Sequence, residues 1–256
     1  MRVGNNYVFK KAESFSCVSD EKASMKGVSL KTVFLLLITI ATTVLSMIFG
    51  NVSHIASGGI IMAGYILSPI LTFVLSITMS LSPKTAKFLA VPYAILEGLS
   101  IGCLSIILMY VLGGNNAGML LGLALFITIS IFLIGAILYS TGIVKVTTKF
   151  RRLMFILLIG LVTSTSLISI ISIFSSTFYT LFMGDSGLSI LISIISIVIA
   201  SFYTLISFDN ANEIVEANLD KDYEWYASFG IILNIIWLFY EILRLLLIIL
   251  SRSRNN

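Results

Sequence analysis

Hydrophobic residues in this chain occur in long, almost uninterrupted runs rather than in the short periodic patterns of water-soluble proteins. Seven runs come close to the ~20 residues that an α-helix needs to cross ~30 Å of hydrocarbon. The runs are residues 32–49, 58–81, 88–112, 119–139, 153–175, 188–208 and 226–250. The pattern therefore predicts an all-α membrane protein with seven transmembrane helices.

The segments outside these runs are short and polar. We expect a polar N-terminal tail over residues 1–29, a seven-helix transmembrane domain over residues 30–250, and a short C-terminal tail over residues 251–256. The first run is long enough to be an uncleaved helix, so a signal peptide is not predicted.

The fifth and sixth runs share the phrase Ile-Ser-Ile-Ile-Ser-Ile, at residues 168–173 and 192–197. Such a phrase is compatible with an internal repeat of the kind that many transporters have. It is equally typical of small serine faces that let helices approach closely. We favour the packing interpretation because the similarity covers fewer than ten residues.

Composition excludes the soluble classes. Of 256 residues, 58% are hydrophobic and only 11% are charged, and the mean hydropathy is +1.06. Soluble domains carry about a quarter charged residues. The net charge of +4 comes from the loops and tails, so it bears on membrane orientation rather than on nucleic acid, for which the sequence gives no support.

Lysine and arginine are distributed unequally between the two sides of the predicted membrane domain. Thirteen lie in the N-terminal tail and the loops on its side, whereas two lie on the other side, in the C-terminal tail. The positive-inside rule then predicts an inner-membrane protein with a cytoplasmic N-terminus. The two C-terminal arginines leave a re-entrant last segment as an alternative to a full seventh crossing.

Two acidic residues fall deep inside apolar runs, Glu97 and Glu241, and Asp209 lies at the end of the sixth run. An ionised side chain at the bilayer centre costs ~2.5–3.5 kcal/mol on insertion scales, so each should face the protein interior and find a partner. Arg244, one helical turn from Glu241, is one candidate partner. The functional alternative is that Glu241 meets Asp209 inside the bundle.

Two carboxyl groups held close together share a proton and titrate as a unit. When ionised, such a pair is also an oxygen site that suits Ca²⁺. We therefore predict Asp209 and Glu241 as a pH sensor on an ion path and as a transient calcium site. Glu213 begins an acidic stretch that either concentrates cations at the mouth of that path or forms a solvated helix face.

Glu97 stands beside Gly98 and one turn from Gly102, where helices can approach closely. It is a candidate pore-lining acid or, equally, a protonated structural hydrogen-bond donor. No cofactor is predicted, and calcium enters only as a transported ion. His54 is the only histidine and sits in a loop, and no nucleophile–base or intramembrane-protease motif is present, so we predict no enzyme.

Four motifs follow one another in a fixed order along the chain. They are Ser24-Met-Lys-Gly27 with Lys31-Thr32; Tyr93-Ala-Ile-Leu-Glu97-Gly98 with Gly102 and Ser105; Tyr139-Ser-Thr-Gly-Ile-Val-Lys-Val-Thr147 with Lys149-Phe150; and Glu224-Trp-Tyr-Ala-Ser-Phe-Gly230 running into Trp237-Leu-Phe-Tyr-Glu-Ile-Leu-Arg-Leu-Leu246. In this order they resemble the Bax inhibitor-1-like (transmembrane Bax inhibitor motif) family, and its prokaryotic branch in particular. The resemblance covers most of the chain from Ala23 onward.

The resemblance implies six helices around a central seventh and a pH-sensitive calcium leak. In that family, acids of the sixth and seventh helices sense pH, and Asp209 and Glu241 match them here. Some relatives latch the sixth-helix acid with an arginine of an earlier helix. Spans two to four contain no arginine in this chain, so we expect that latch to be missing or replaced by Arg244.

A second function is compatible with the same sequence. The chain could act without conducting ions, as a membrane protein that modulates a membrane protease or another membrane complex through its lysine-bearing N-terminal tail. The predicted partners are therefore the lipid bilayer, the calcium ion and, in the alternative, another membrane protein.

Overall fold

The computed structural model describes residues 21–52, 58–182, 184 and 186–255, and His54 lies outside these residues. We number the helices in chain order. They are α1 (Met25–Val52), α2 (Gly58–Leu81), α3 (Ala86–Leu112), α4 (Gly114–Ser140), α5 (Thr148–Phe174), α6 (Ser176–Phe182), α7 (Gly187–Glu216) and α8 (Tyr223–Asn255), with a 3₁₀ turn at Pro83–Thr85. No strand occurs in this part of the chain.

The predicted all-α class is confirmed, and so are the seven spans. Within the described ranges seven helices are long and apolar enough to cross a membrane, and each coincides with one predicted run to within a few residues at the run's ends. The helices extend beyond the runs because hydropathy marks only the part suited to hydrocarbon, whereas a helix continues into polar sequence. Thus α1 begins at Met25 rather than near residue 32, and α8 continues to Asn255.

The chain divides into two compact units. The first comprises the described part of Met1–Leu112 together with Asn210–Ile232, and the second comprises Gly113–Asp209 with Leu233–Asn256. Half of the most apolar stretch of α8 is buried, 50% against 6–44% in the other six spans. A central helix would need such burial, but the arrangement of six helices around α8 stays a prediction.

In the first unit, α1 and α3 approach closely because α3 presents glycines to hydroxyl-bearing residues of α1. A side chain on Gly98 would overlap Thr42, and one on Gly102 would overlap Ser46. The Thr43 hydroxyl donates a hydrogen bond across this contact to the Gly98 carbonyl oxygen at 3.0 Å. Small residues thus let the two backbones approach, as is common in membrane bundles.

In the second unit, α7 and the later part of α8 run antiparallel. The Asn234 side-chain amide donates to the Thr204 hydroxyl at 3.1 Å, and both residues are buried. One turn further along α8, the ring of Trp237 packs edge-on against Tyr203 at a centroid distance of 5.9 Å. These contacts fix the register of the two helices, and the register in turn sets the levels of Asp209 and Glu241.

Candidate functional site

Asp209 is held by two residues of neighbouring helices. Its carboxylate accepts a hydrogen bond from the Tyr139 hydroxyl at 3.1 Å and forms an ion pair with the Arg151 guanidinium. Tyr139 lies in the last turn of α4, where its ring stacks on Phe208. Thr147 caps the start of α5 and thereby places Arg151 in the first turn of that helix. We call this arrangement the Asp209 latch.

The Asp209 latch corrects the expectation that an arginine partner is missing or replaced by Arg244. The arginine comes from the beginning of α5, a position that the hydropathy pattern assigns to the loop between the fourth and fifth runs. The only signal in the sequence was the cluster of basic residues there, which also serves the positive-inside rule. Which of those residues faces Asp209 depends on how the helices pack.

Glu241 lies on α8 with its carboxylate only half satisfied. The Trp237 indole N–H donates to one oxygen, Oε1, at 3.4 Å. The other oxygen, Oε2, is buried and has no hydrogen-bond partner among the described residues. Arg244 contributes its positive charge but forms no salt bridge with another described residue, and its guanidinium donates to the Phe182 carbonyl oxygen at 3.5 Å.

Asp209 and Glu241 do not touch. Asp209 lies five residues beyond Thr204 on α7, and Glu241 lies seven residues beyond Asn234 on α8, in the opposite direction. Since Thr204 and Asn234 are hydrogen-bonded, the rise of ~1.5 Å per residue separates the two carboxylates by roughly 18 Å along the helices. A shared proton or a calcium ion between them is therefore excluded in this conformation, whereas their roles as sensor and ion-path residues stay predictions.

No group of three or more His, Cys, Asp and Glu side chains could hold a metal ion within the described ranges. A calcium ion on Asp209 or Glu241 would thus depend on one carboxylate and on neutral oxygens. Tight calcium sites, by contrast, use several carboxylates.

Glu97 belongs to the first unit and is 8% exposed. Its carboxyl group hydrogen-bonds with the side chains of Thr72, on α2, and Tyr93, one turn earlier on α3. These neutral partners are those that a structural hydrogen-bonding role requires. The pore-lining role stays a prediction.

The acidic stretch that begins at Glu213 is largely engaged with its neighbours. Asn212 donates to the Glu216 carboxylate at 2.7 Å, and Asp222 forms an exposed salt bridge with Lys87 at 3.1 Å. Glu213 is half-buried near the end of α7. These contacts support the interpretation of a solvated helix face more than that of a cation-attracting mouth.

Glu224 departs from that interpretation, because it is 1% exposed. Its carboxylate accepts hydrogen bonds from the Ser24 backbone N–H at 2.8 Å, the Ser24 hydroxyl at 3.1 Å and the Lys31 ammonium group at 2.6 Å. A side chain on Gly27 would overlap this carboxylate. The first and last motifs of the resemblance therefore meet in space, which their positions almost two hundred residues apart did not reveal.

Backbone hydrogen bonds also join the residues before α1 to the turn between α7 and α8. The Ala23 N–H donates to the Leu219 carbonyl oxygen at 2.8 Å, and the Lys221 N–H donates to the Glu21 carbonyl oxygen at 3.1 Å. The Glu21 carboxylate accepts a hydrogen bond from the Lys221 ammonium group, and this bond raises the pKa of Lys221. We call residues 21–31, fastened in this way, the N-terminal strap.

Comparison with known proteins identifies a family for this chain. The sequence fits the model of the family described as Bax inhibitor 1 like over residues 5–251, nearly the whole chain. A search of curated proteins found no significant match.

Proposed function

Given that the chain belongs to the Bax inhibitor 1-like family, we propose that this multi-pass membrane protein is a passive, pH-sensitive leak for calcium. Asp209 is the proton-sensing residue of this proposal, and Glu241 is a second acid on the same ion path. The ion moves down its own gradient, so neither a nucleotide nor a second substrate is required.

The proposed orientation puts the N-terminus in the cytoplasm and the protein in the cell's inner membrane. It is supported by the thirteen basic residues on the N-terminal side against two on the other. The Asp209 latch then lies at the cytoplasmic end of the path. Its Arg151 belongs to the same cytoplasmic basic cluster that determines the orientation.

The observation on which the proposal rests is the Asp209 latch. Its two charged side chains are only 20–23% exposed, so their attraction is not fully screened by water. The ion pair exists only while Asp209 is ionised. As the pH falls and Asp209 takes up a proton, the pair is lost, and α7 is released from α4 and α5. We therefore propose that the latched form is closed and that acidification opens the path.

Glu241 supplies a buried acidic group deeper in the membrane, where a passing cation could bind. A buried carboxylate oxygen without a hydrogen-bond partner among the described residues is costly unless something binds there during function. Its negative charge favours cations over anions along α8.

Reconstitution into liposomes that contain a calcium-sensitive dye tests the proposal. Calcium entry is measured between pH 5 and pH 8 for the wild type, Asp209→Asn and Glu241→Gln. We expect Asp209→Asn to leak at neutral pH as fast as the acidified wild type and to lose most of its pH dependence. We expect Glu241→Gln to leak more slowly at every pH. If both variants match the wild type in rate and pH profile, the proposal is wrong.

The second candidate is a non-conducting protein that modulates a membrane protease or another membrane complex. It is favoured by the N-terminal strap, which fastens the base of the N-terminal tail to the start of α8, so that a partner bound to the tail would act directly on that helix. Deleting residues 1–20 leaves the strap in place. This candidate is established over the leak if the deletion abolishes co-purification of membrane proteins and the wild-type protein carries no calcium.

A further inference from the structure

Two buried serine hydroxyls of the second unit lie on α7 at levels close to that of Glu241 on α8. Ser193 and Ser196 lie on α7 and are 0% exposed. Their hydroxyl groups, like Glu241 Oε2, have no hydrogen-bond partner in the described part of the chain. Ser172 of α5 carries a fourth such atom in this unit. Unsatisfied polar atoms of this kind are unusual, because buried polar groups are normally paired.

A serine hydroxyl in a helix can form a hydrogen bond within its own helix. Several serines of the other helices, and two of α7 itself, donate to the carbonyl oxygen four residues earlier, as is usual for hydroxyls in membrane helices. Examples are Ser105, Ser169 and Ser201, with donor–acceptor distances of 2.7 Å each. Ser193 and Ser196 do not form that bond, so their hydroxyls remain available to another partner.

The register of α7 and α8 brings these atoms to neighbouring levels. Thr204 is bonded to Asn234 at one end, and Gly187 lies close to Arg252 at the other. Glu241 follows Asn234 by seven residues, or roughly 10 Å of rise, and Ser196 precedes Thr204 by eight residues, or roughly 12 Å. Ser193 lies about one turn further on the same buried face of α7.

Close packing alone does not account for this polar set. Small serine faces do allow helices to approach, but alanine would do so without burying an unpaired hydroxyl. A carboxylate with neighbouring hydroxyl oxygens is instead a set of ligands that suits a hard cation and its remaining hydration waters. Arg244 lies one turn from Glu241, with its guanidinium directed at the Phe182 carbonyl oxygen.

We propose that Ser193, Ser196 and Glu241 line a section of the ion path that takes up water when the path opens, and that a partly hydrated cation binds there during its passage. This inference rests on the proposed leak and names the part of the second unit through which the ion passes. Two serines that the sequence suggested only for helix packing thereby become ion-path residues.

Cysteine accessibility tests this section directly. Ser193→Cys and Ser196→Cys are made in a Cys17→Ser background, and Ile195→Cys, between them on the exposed face of α7, is the matched control. Cys103 is buried, and its own reactivity is measured in the background protein. Each protein in liposomes is treated with a cationic and with an anionic methanethiosulfonate reagent. Only a thiol that contacts water forms the reactive thiolate.

In acidified liposomes, where the proposed path is open, we expect both serine positions to react at least ~10-fold faster than Ile195→Cys, because water reaches them there and lipid surrounds the control. The cationic reagent should react faster than the anionic one, and millimolar calcium should slow the reaction. If both positions react no faster than the control, or faster with the anionic reagent, the inference is wrong even for a protein that leaks calcium. If both positions react as expected in a protein that carries no calcium, the section is hydrated and the proposed leak is the part that fails.

Thermal unfolding of alanine variants provides a second test, which does not depend on whether the cysteine variants fold. In a dry helix contact, Ser193→Ala with Ser196→Ala would remove two unpaired hydroxyls and raise the thermal unfolding temperature. In a hydrated section the same double variant should unfold at or below the wild-type temperature and leak calcium several-fold more slowly. A higher unfolding temperature together with an unchanged leak would overturn the inference.

Discussion

A single glycine shows how tightly the first unit is built. Gly27 lies directly against the carboxylate of Glu224, and no larger residue fits without moving that buried group away from Ser24 and Lys31. An ionised group in such a place is strongly destabilising once its partners are lost. The glycine is therefore required by a charge on another helix rather than by its own backbone conformation.

Gly27→Ala should accordingly destabilise the protein. We expect a loss of about 2–4 kcal/mol, because a displaced Glu224 leaves Lys31 without its buried partner. Thermal unfolding in detergent measures the effect. Gly230→Ala is the matched control, since a side chain there meets nothing within 4 Å and alanine favours a helix. Equal unfolding temperatures for the two variants would contradict this role of Gly27.

The residue scale is also where sequence-based prediction fails most clearly. Asp209 and Glu241 could be singled out because ionisable residues in apolar runs are rare. Their separation could not be predicted, because it depends on the register between α7 and α8. Likewise, the sequence predicted Arg151 to be a loop residue, whereas in the structure Thr147 caps α5 and Arg151 lies in the first turn of that helix beside Asp209.

At the scale of elements, hydropathy predicted the number and approximate position of the membrane-spanning helices. Apolar length fixed seven spans, since backbone polar groups inside lipid must be satisfied within a helix. The short helix Ser176–Phe182 escaped this criterion, because it is too short to cross and is no more apolar than its surroundings. Helix pairing escaped too, although the small residues of the second motif pointed to a close contact.

The contact between α1 and α3 provides a test at this scale. Gly98→Ala places a side chain against the Thr39 carbonyl oxygen and the Thr42 hydroxyl, so the helices must separate. Overpacking of this kind costs about 1–3 kcal/mol. We expect a correspondingly lower unfolding temperature. Gly122→Ala on α4, where a side chain meets nothing within 4 Å, should leave that temperature unchanged or higher. A loss as large for Gly122→Ala would contradict the assigned contact.

For the whole molecule, the number of crossings determines the sides of the two termini. Seven crossings put the C-terminus opposite the N-terminus, and the long α8 supports a full last crossing over a re-entrant one. In intact cells, a membrane-impermeant thiol reagent should therefore label Ser253→Cys in a Cys17→Ser background. The same reagent should reach Cys17 of the wild type only after permeabilisation. Protection of Ser253→Cys in intact cells would contradict seven crossings.

In the proposed mechanism the Asp209 latch holds the path closed. Two adjacent arginines of α5 allow a matched comparison, since Arg151 binds Asp209 and Arg152 is exposed. Replacing either one with glutamine removes the same charge from nearly the same place. Any difference between the two variants therefore reports the ion pair rather than the general electrostatic field.

Calcium entry into liposomes at neutral pH is the deciding measurement. A hydrogen bond to a charged group contributes about 1.5–3 kcal/mol, so its loss shifts a two-state latch by roughly 10- to 150-fold. We predict that Arg151→Gln raises the neutral-pH leak at least ~10-fold and that Arg152→Gln stays within about twofold of the wild type. Equal leak rates for Arg151→Gln and Arg152→Gln would contradict the claim that this ion pair closes the path.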